Sequence, residues 1–227
     1  MGAFAPHLEI LPEPQKRLWS ELSAVPREFV LYGGTALALH LGHRPSVDFD
    51  FFGSRDLNLF DLESRVPFLL GAAVVQREKN TLSVIVERDG PVTVSFFGVP
   101  SLRRLAPSHV SMDNGLRVAS LLDLAGTKAS VVQVRAEAKD YLDLDALLSR
   151  GKIGLPTALA AAQKIYGPSF NPEVTLKALS YFDDGNLATL SQETRARLTD
   201  AVKAVDLEHL PKLDHLDHPR LDHGLEL

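Results

Sequence analysis

The sequence predicts an α+β fold: a mixed sheet of about five strands flanked by helices, followed by a mostly helical C-terminal half. Three observations carry this. Two short apolar runs, residues 29–32 and 47–52, bracket a stretch rich in Ala and Leu that favours helix. Three more runs of strand character, 72–77, 81–88 and 92–98, are separated by Asn80 and by Asp89-Gly90, a favoured hairpin connection. Beyond residue 116 apolar residues recur at helical spacing, with Gly and Pro between the segments.

In chain order, Pro12 and Pro14 precede a segment in which Leu18, Trp19 and Leu22 fall at helical spacing. An N-terminal helix is therefore expected to pack on the sheet, with Trp19 in the core. The strand 29–32 ends in Gly33-Gly34, which permits a tight turn and close approach of a ligand to the backbone. Thr35 suits the N-cap of the helix 36–41, Gly42 ends it, and Pro45 keeps the chain extended before the next strand. In that strand, 47–52, Asp48 and Asp50 share one face, their Cα atoms roughly 6–7 Å apart. Val47, Phe49 and Phe51 are expected to fill the opposite, core face.

Residues 57–70 read as a helix interrupted or ended at Pro67, and the three runs of 72–98 extend the sheet antiparallel. The stretch 102–116 is expected to be irregular. A helix over 117–130 carries Val118, Leu121, Leu122 and Ala125, with Lys128 near its end. A second over 135–148 places Arg135, Lys139 and Asp143 at i, i+4 and i+8, with Asp140 beside Asp143. Helices over 155–166, 172–181 and 192–205 complete the bundle. The expected organisation is a core over 1–115, a helical region over 116–208 and a flexible tail over 209–227. That tail holds four of the eight histidines, three of them following Asp at 214, 217 and 222. A metal-binding tract is the alternative to a solvated terminus.

The 227 residues, 45% hydrophobic and 23% charged, are of ordinary globular composition. The absence of cysteine excludes disulfides, zinc–thiolate sites and thiol catalysis. No basic segment followed by an apolar core opens the chain, and no uncharged apolar run approaches the ~18 residues of a membrane span. A cytoplasmic protein without membrane attachment is expected. A net charge of −5, from 24 basic and 29 acidic residues, argues against broad electrostatic binding to nucleic acid, though not against a local basic patch. No dinucleotide fingerprint, P-loop or Ser-His-Asp context occurs, which discards dehydrogenase, P-loop NTPase and hydrolase.

The chemistry concentrates in residues 29–52. Two carboxylates on one face of an apolar strand repel each other and cost desolvation unless something positive lies between them. A hard divalent cation such as Mg²⁺ compensates, while a solvated edge strand is the bland alternative. Gly-Gly-Thr at a helix start supplies free N–H groups for phosphate. Arg44 is read either as a phosphate contact or as a cation covering a helix end.

Gly33-Gly34-Thr35, then Gly42-His43-Arg44, then Ser46-x-Asp48-x-Asp50-Phe51-Phe52 resembles the signature of the AbiEii/AbiGii-toxin family of nucleotidyltransferases, in the DNA polymerase β-like superfamily. The segment with Lys128, Arg135 and Lys139-Asp140-x-x-Asp143-Leu144 resembles it too, and the likeness covers roughly residues 28–150. It implies a nucleotidyltransferase-like sheet and transfer of an NMP from an NTP to an acceptor hydroxyl. Gly33, Gly34, Thr35, Arg44 and Ser46 would lie at the nucleotide, and Asp48 and Asp50 would hold Mg²⁺ or Mn²⁺. Lys128 would meet the triphosphate, and Asp140 would serve as base or orienter of the acceptor. Asp143, Arg135 and Lys139 would support them. Family members are toxins of toxin–antitoxin or phage-defence systems, so an RNA acceptor such as the tRNA acceptor end, or protein, and a cognate antitoxin are implied. One departure stands out: the later strand that usually supplies a third carboxylate has Ser95 at the corresponding position, with Glu87 on the preceding strand as a substitute. Two other readings therefore remain, an antibiotic-type small-molecule nucleotidyltransferase and a degenerate, non-catalytic nucleotide-binding or interaction module.

Overall fold

Val30–Tyr32, Gly33–Leu41 and Phe49–Gly53 form a strand–helix–strand unit in the computed structural model, which describes residues 2–213. In chain order the strands are β1 (Ala3–Phe4), β2 (Val30–Tyr32), β3 (Phe49–Gly53), β4 (Ala73–Glu78), β5 (Thr81–Glu87), β6 (Pro91–Gly98), β7 (His109–Ser111) and β8 (Arg117–Val118). The helices are α1 (Glu13–Trp19), α2 (Gly33–Leu41), α3 (Leu59–Arg65), α4 (Leu121–Val131), α5 (Ala138–Ser149), α6 (Leu155–Tyr166), α7 (Pro172–Ala178) and α8 (Gln192–Lys203). Short 3-10 turns follow α1 over Ser20–Ala24 and α3 over Pro67–Leu69.

The described strands form one mixed eight-stranded sheet in the order β1-β7-β8-β2-β3-β6-β5-β4. It is larger than the five strands expected from sequence. The extra strands are two or three residues long, too short for any alternation to show; β7 and β8 lie within and just after the stretch expected to be irregular, and β1 lies near the N-terminus. Their ladders are supplied from a distance: β1 pairs with β7 and β8 with β2, both in parallel. Arg117 and Val118 thus belong to the sheet rather than to a helix. The following helix starts at Leu121, where the Ser120 side chain accepts from the Asp123 N–H as an N-cap.

One face of β3 and β6 is dry. Phe49, Phe51 and Phe96 are completely buried, with Phe51 and Phe96 stacked at a centroid distance of 5.2 Å. Leu18, Trp19 and Leu22 from the N-terminal helix and turn join this core, Trp19 lying 6.4 Å from the Phe49 ring and donating from Nε1 to Asp113. The alternation expected for this strand holds from Phe49 onward, but Val47 is 50% exposed. The strand starts two residues late because the Gln15 side chain takes the Val47 carbonyl, at 2.7 Å, out of the ladder. Among the described residues no helix is long and apolar enough to cross a membrane. The Asp-His pairs at 214–223 lie outside the described residues.

Candidate active site

Three consecutive elements set the geometry. Tyr32 pairs with Asp50 across the antiparallel β2–β3 ladder, so the chain leaving β2 turns into α2 directly beside the acidic pair. Gly33 has φ +77°, and a Cβ there would stand 3.0 Å from Asp50 Oδ2. At Gly34 a Cβ would lie 2.7 Å from Arg44 Nη2 and 3.0 Å from Ser46 Oγ. Gly33 is required by its left-handed backbone, and both glycines leave room for the Asp50, Arg44 and Ser46 side chains to close on the turn. Helix α2 begins at Gly33, with no side chain capping its first N–H groups. Thr35 is consequently a first-turn residue rather than the N-cap. Its hydroxyl donates to the Asp48 carbonyl at 2.5 Å and lies 2.9 Å from Ser46 Oγ, tying the helix start to the entrance of β3.

Asp48 is exposed and Asp50 half-buried. Burial first, and then the charge of Asp48, push the Asp50 carboxyl up to about 6, against the opposing pull of Lys128, Arg135 and Lys139. Asp50 pairs in parallel with Ser95 on β6, which pairs with Ser83 on β5 and lies 3.0 Å from its hydroxyl. Ser95 thus occupies the position beside Asp50 where a third carboxylate was sought. Glu87 shares the sheet face by alternation, but it pairs with Pro91, four residues or roughly 13 Å along β5 from Ser83. Among the described residues no three acidic or imidazole side chains converge to hold a metal ion.

Over the acidic pair stand groups from α4, α5 and the loops before and between them. Lys128 Nζ lies 2.7 Å from Asp140 Oδ1 and 2.6 Å from Asp143 Oδ2. Asp143 also receives Arg44 in bidentate fashion, Nε to Oδ1 at 2.7 Å and Nη2 to Oδ2 at 2.8 Å, and His43 Nε2 at 2.7 Å. Burial alone would raise the Asp143 carboxyl, but these partners hold it well below the usual range. Arg135 donates from Nε to Asp140 Oδ2 at 2.7 Å and from Nη2 to Oδ1 at 3.1 Å. Asp140 is likewise lowered, with Arg135 and Lys128 outweighing burial. Both carboxylates are 0% exposed, so this is an interior network, not a surface ladder of i,i+4 pairs. Arg135 lies in the α4–α5 loop, since α5 begins only at Ala138, and it reaches Asp140 by folding over the helix start. Lys139, half-exposed, turns instead to Glu137 at 2.8 Å. His43 had no role assigned from sequence; its place next to Arg44 in the Gly42-His43-Arg44 string was the available signal.

A glycine-framed helix start abutting two carboxylates, faced by buried Lys128, Asp140 and Asp143 with the partly exposed Arg44 and Arg135, is equipment for handling a polyphosphate. Residues 17–226 match the family model described as nucleotidyl transferase AbiEii toxin, type IV TA system. The chain belongs to this family. It is a nucleotidyltransferase by that membership. An uncharacterized protein of Aquifex aeolicus is 30% identical over 161 residues, 69% of this chain and 75% of that one. In fold the chain resembles MenT4, a nucleotidyltransferase toxin of Mycobacterium tuberculosis H37Rv, at TM-score 0.59 and 18% identity over 86% of this chain and 83% of the other. A crystal structure from H. pylori aligns at TM-score 0.51 and 20% identity over 84% of this chain and 92% of that one.

Proposed function

We propose that this AbiEii-family chain moves an NMP from an NTP to an acceptor hydroxyl with a divalent cation, Mg²⁺ or Mn²⁺, held by Asp48 and Asp50. The observation that carries the reading is the apposition of Asp50 with Gly33 on one side and the positive field of Lys128 and Arg135 on the other. The residues fit a hard cation: two oxygen donors, one of them reluctant to ionise alone, and no soft ligand. The bound cation would neutralise phosphate charge and polarise the α-phosphate. With Ser95 neutral, phosphate oxygens and water would complete its coordination.

The uncapped N–H groups at the start of α2 receive the outer phosphates. Lys128, fixed between Asp140 and Asp143, and Arg135 neutralise the charge that builds on the departing pyrophosphate. Arg44 and Ser46 brace the glycine turn. The acceptor oxygen bonds to the α-phosphorus as the bond to the bridging oxygen breaks, and pyrophosphate leaves. The hydroxyl proton passes to water on the exposed side of Asp48. Asp140, with both oxygens committed and its proton affinity lowered, positions the two cations rather than taking that proton. Positioning and charge neutralisation carry most of the rate in such a transfer.

The acceptor we propose is RNA, such as the tRNA acceptor end, in a cytoplasmic toxin–antitoxin setting with a cognate antitoxin. The family description and the name of MenT4 support the toxin–antitoxin setting. Incubating the protein with each of four α-labelled NTPs, Mg²⁺ and cellular RNA or protein should label one acceptor class. Asp48→Ala combined with Asp50→Ala should abolish the labelling; undiminished labelling by that variant would reject the assignment.

A further inference from the structure

Asp50 divides the open face of β3 into two halves. At the N-terminal half lie Asp48 and, across the β2 turn, Gly33 and Gly34. At the C-terminal half the next residue on the same face is Phe52. Its parallel partner in register is Phe97 on β6, and the two rings lie 4.8 Å apart at 30°. Tyr32 closes the row edge-on, 5.3 Å from Phe52. These rings differ from the core aromatics of the same strands. Phe49, Phe51, Phe96 and the flanking Tyr32 are buried, whereas Phe52 and Phe97 remain half-buried. Arg104 frames this patch, its Nη2 donating to the Phe52 carbonyl at 3.2 Å while its buried Nε has no acceptor.

We propose that Phe52 and Phe97 form the stacking floor for the nucleobase of the NTP. The proposal rests on the nucleotidyltransferase reading and gives the bound nucleotide a direction: outer phosphates at Gly33 and Gly34, α-phosphate at Asp50, base over the paired phenylalanines. The spacing suits it. Phe52 lies two residues from Asp50, roughly 6–7 Å along the strand, which matches the reach of a ribose from phosphate to base. Any base offers a π-face, so the floor supplies affinity without fixing which NTP is used.

The test compares Mg²⁺-dependent binding of NTPs and of inorganic tripolyphosphate to the wild type, Phe97→Leu and Phe97→Trp, with thermal unfolding as a control for folding. Phe97→Leu should weaken NTP binding about 10- to 100-fold, the range expected for loss of one stacked base, and leave tripolyphosphate binding unchanged. Phe97→Trp, which restores a flat aromatic surface, should recover NTP affinity. Wild-type NTP affinity in Phe97→Leu, or equal losses for NTP and tripolyphosphate, would overturn the stacking floor while leaving the transferase reading intact. A wild type that binds neither compound would overturn both.

Discussion

Asp50 is held where burial and Asp48 both disfavour its charged form, so a proton would compete with the proposed cation for this carboxyl. Mg²⁺ affinity should be flat above about pH 7 and fall roughly tenfold per unit below about 6, measured by calorimetric titration. An affinity unchanged at pH 5 would contradict this picture. Gly34→Ala tests the neighbouring contact: the added methyl meets Arg44 Nη2 and should dislodge the guanidinium from Asp143. Transfer should drop at least tenfold while the melting temperature moves by only a few degrees, because the obstructing atom is the end of a flexible side chain. At this scale the alternation of Asp48 and Asp50 against Phe49 and Phe51 was readable. The exposure of Val47 was not, since it follows from Gln15, a residue far away in sequence.

Helices α4 and α5 exist as a unit because their charges satisfy one another. Removing Asp143 leaves Lys128, Arg44 and His43 facing a void in the interior. Asp143→Ala should therefore destabilise the fold by about 3–5 kcal/mol, measured by urea denaturation. A loss below 1 kcal/mol would mean that these cations find water instead. Asp140 and Asp143 were legible as a spaced set with Arg135 and Lys139, and Lys128 only through the family resemblance, but the burial of Lys128, Asp140 and Asp143 was not. Charges at helical spacing describe a surface ladder equally well, and only packing against α2 decides between the two. Arg135 joined the set from a loop because α5 starts at Ala138, a boundary that propensity does not mark. The short strands β1, β7 and β8 were invisible for the related reason that their pairing is long-range.

Across the whole molecule two groups give opposite responses to acid. His40, in the last turn of α2 with Nε2 on the Ala119 carbonyl, is pushed by burial down to about 4. The unfolded chain then binds more protons, so stability is lost as pH falls from the unfolded value near 6.5 through about 4, by at most about 3 kcal/mol. Asp50 acts in reverse: its raised value contributes stability at low pH that is lost as pH rises through about 6. Without divalent cation Asp50, with Asp123 whose carboxyl burial also raises, offsets His40, and the melting temperature should change little between pH 6.5 and 4.5. With Mg²⁺ holding Asp50 ionised, it should fall over the same range. His40→Gln without metal should grow more stable on acidification; a wild-type response in that variant would contradict the account. The α+β architecture was readable from the order of strand and helix signals, and the glycine turn and acidic pair of the candidate site from one string within it. The most direct test of the central claim uses the same NTP labelled at either the α- or the γ-phosphorus. Label from the α position alone should reach the acceptor, and only when Asp48 and Asp50 are both present. Transfer of γ-label, or α-label transfer by the Asp48→Asn, Asp50→Asn double variant at the wild-type rate, would contradict it.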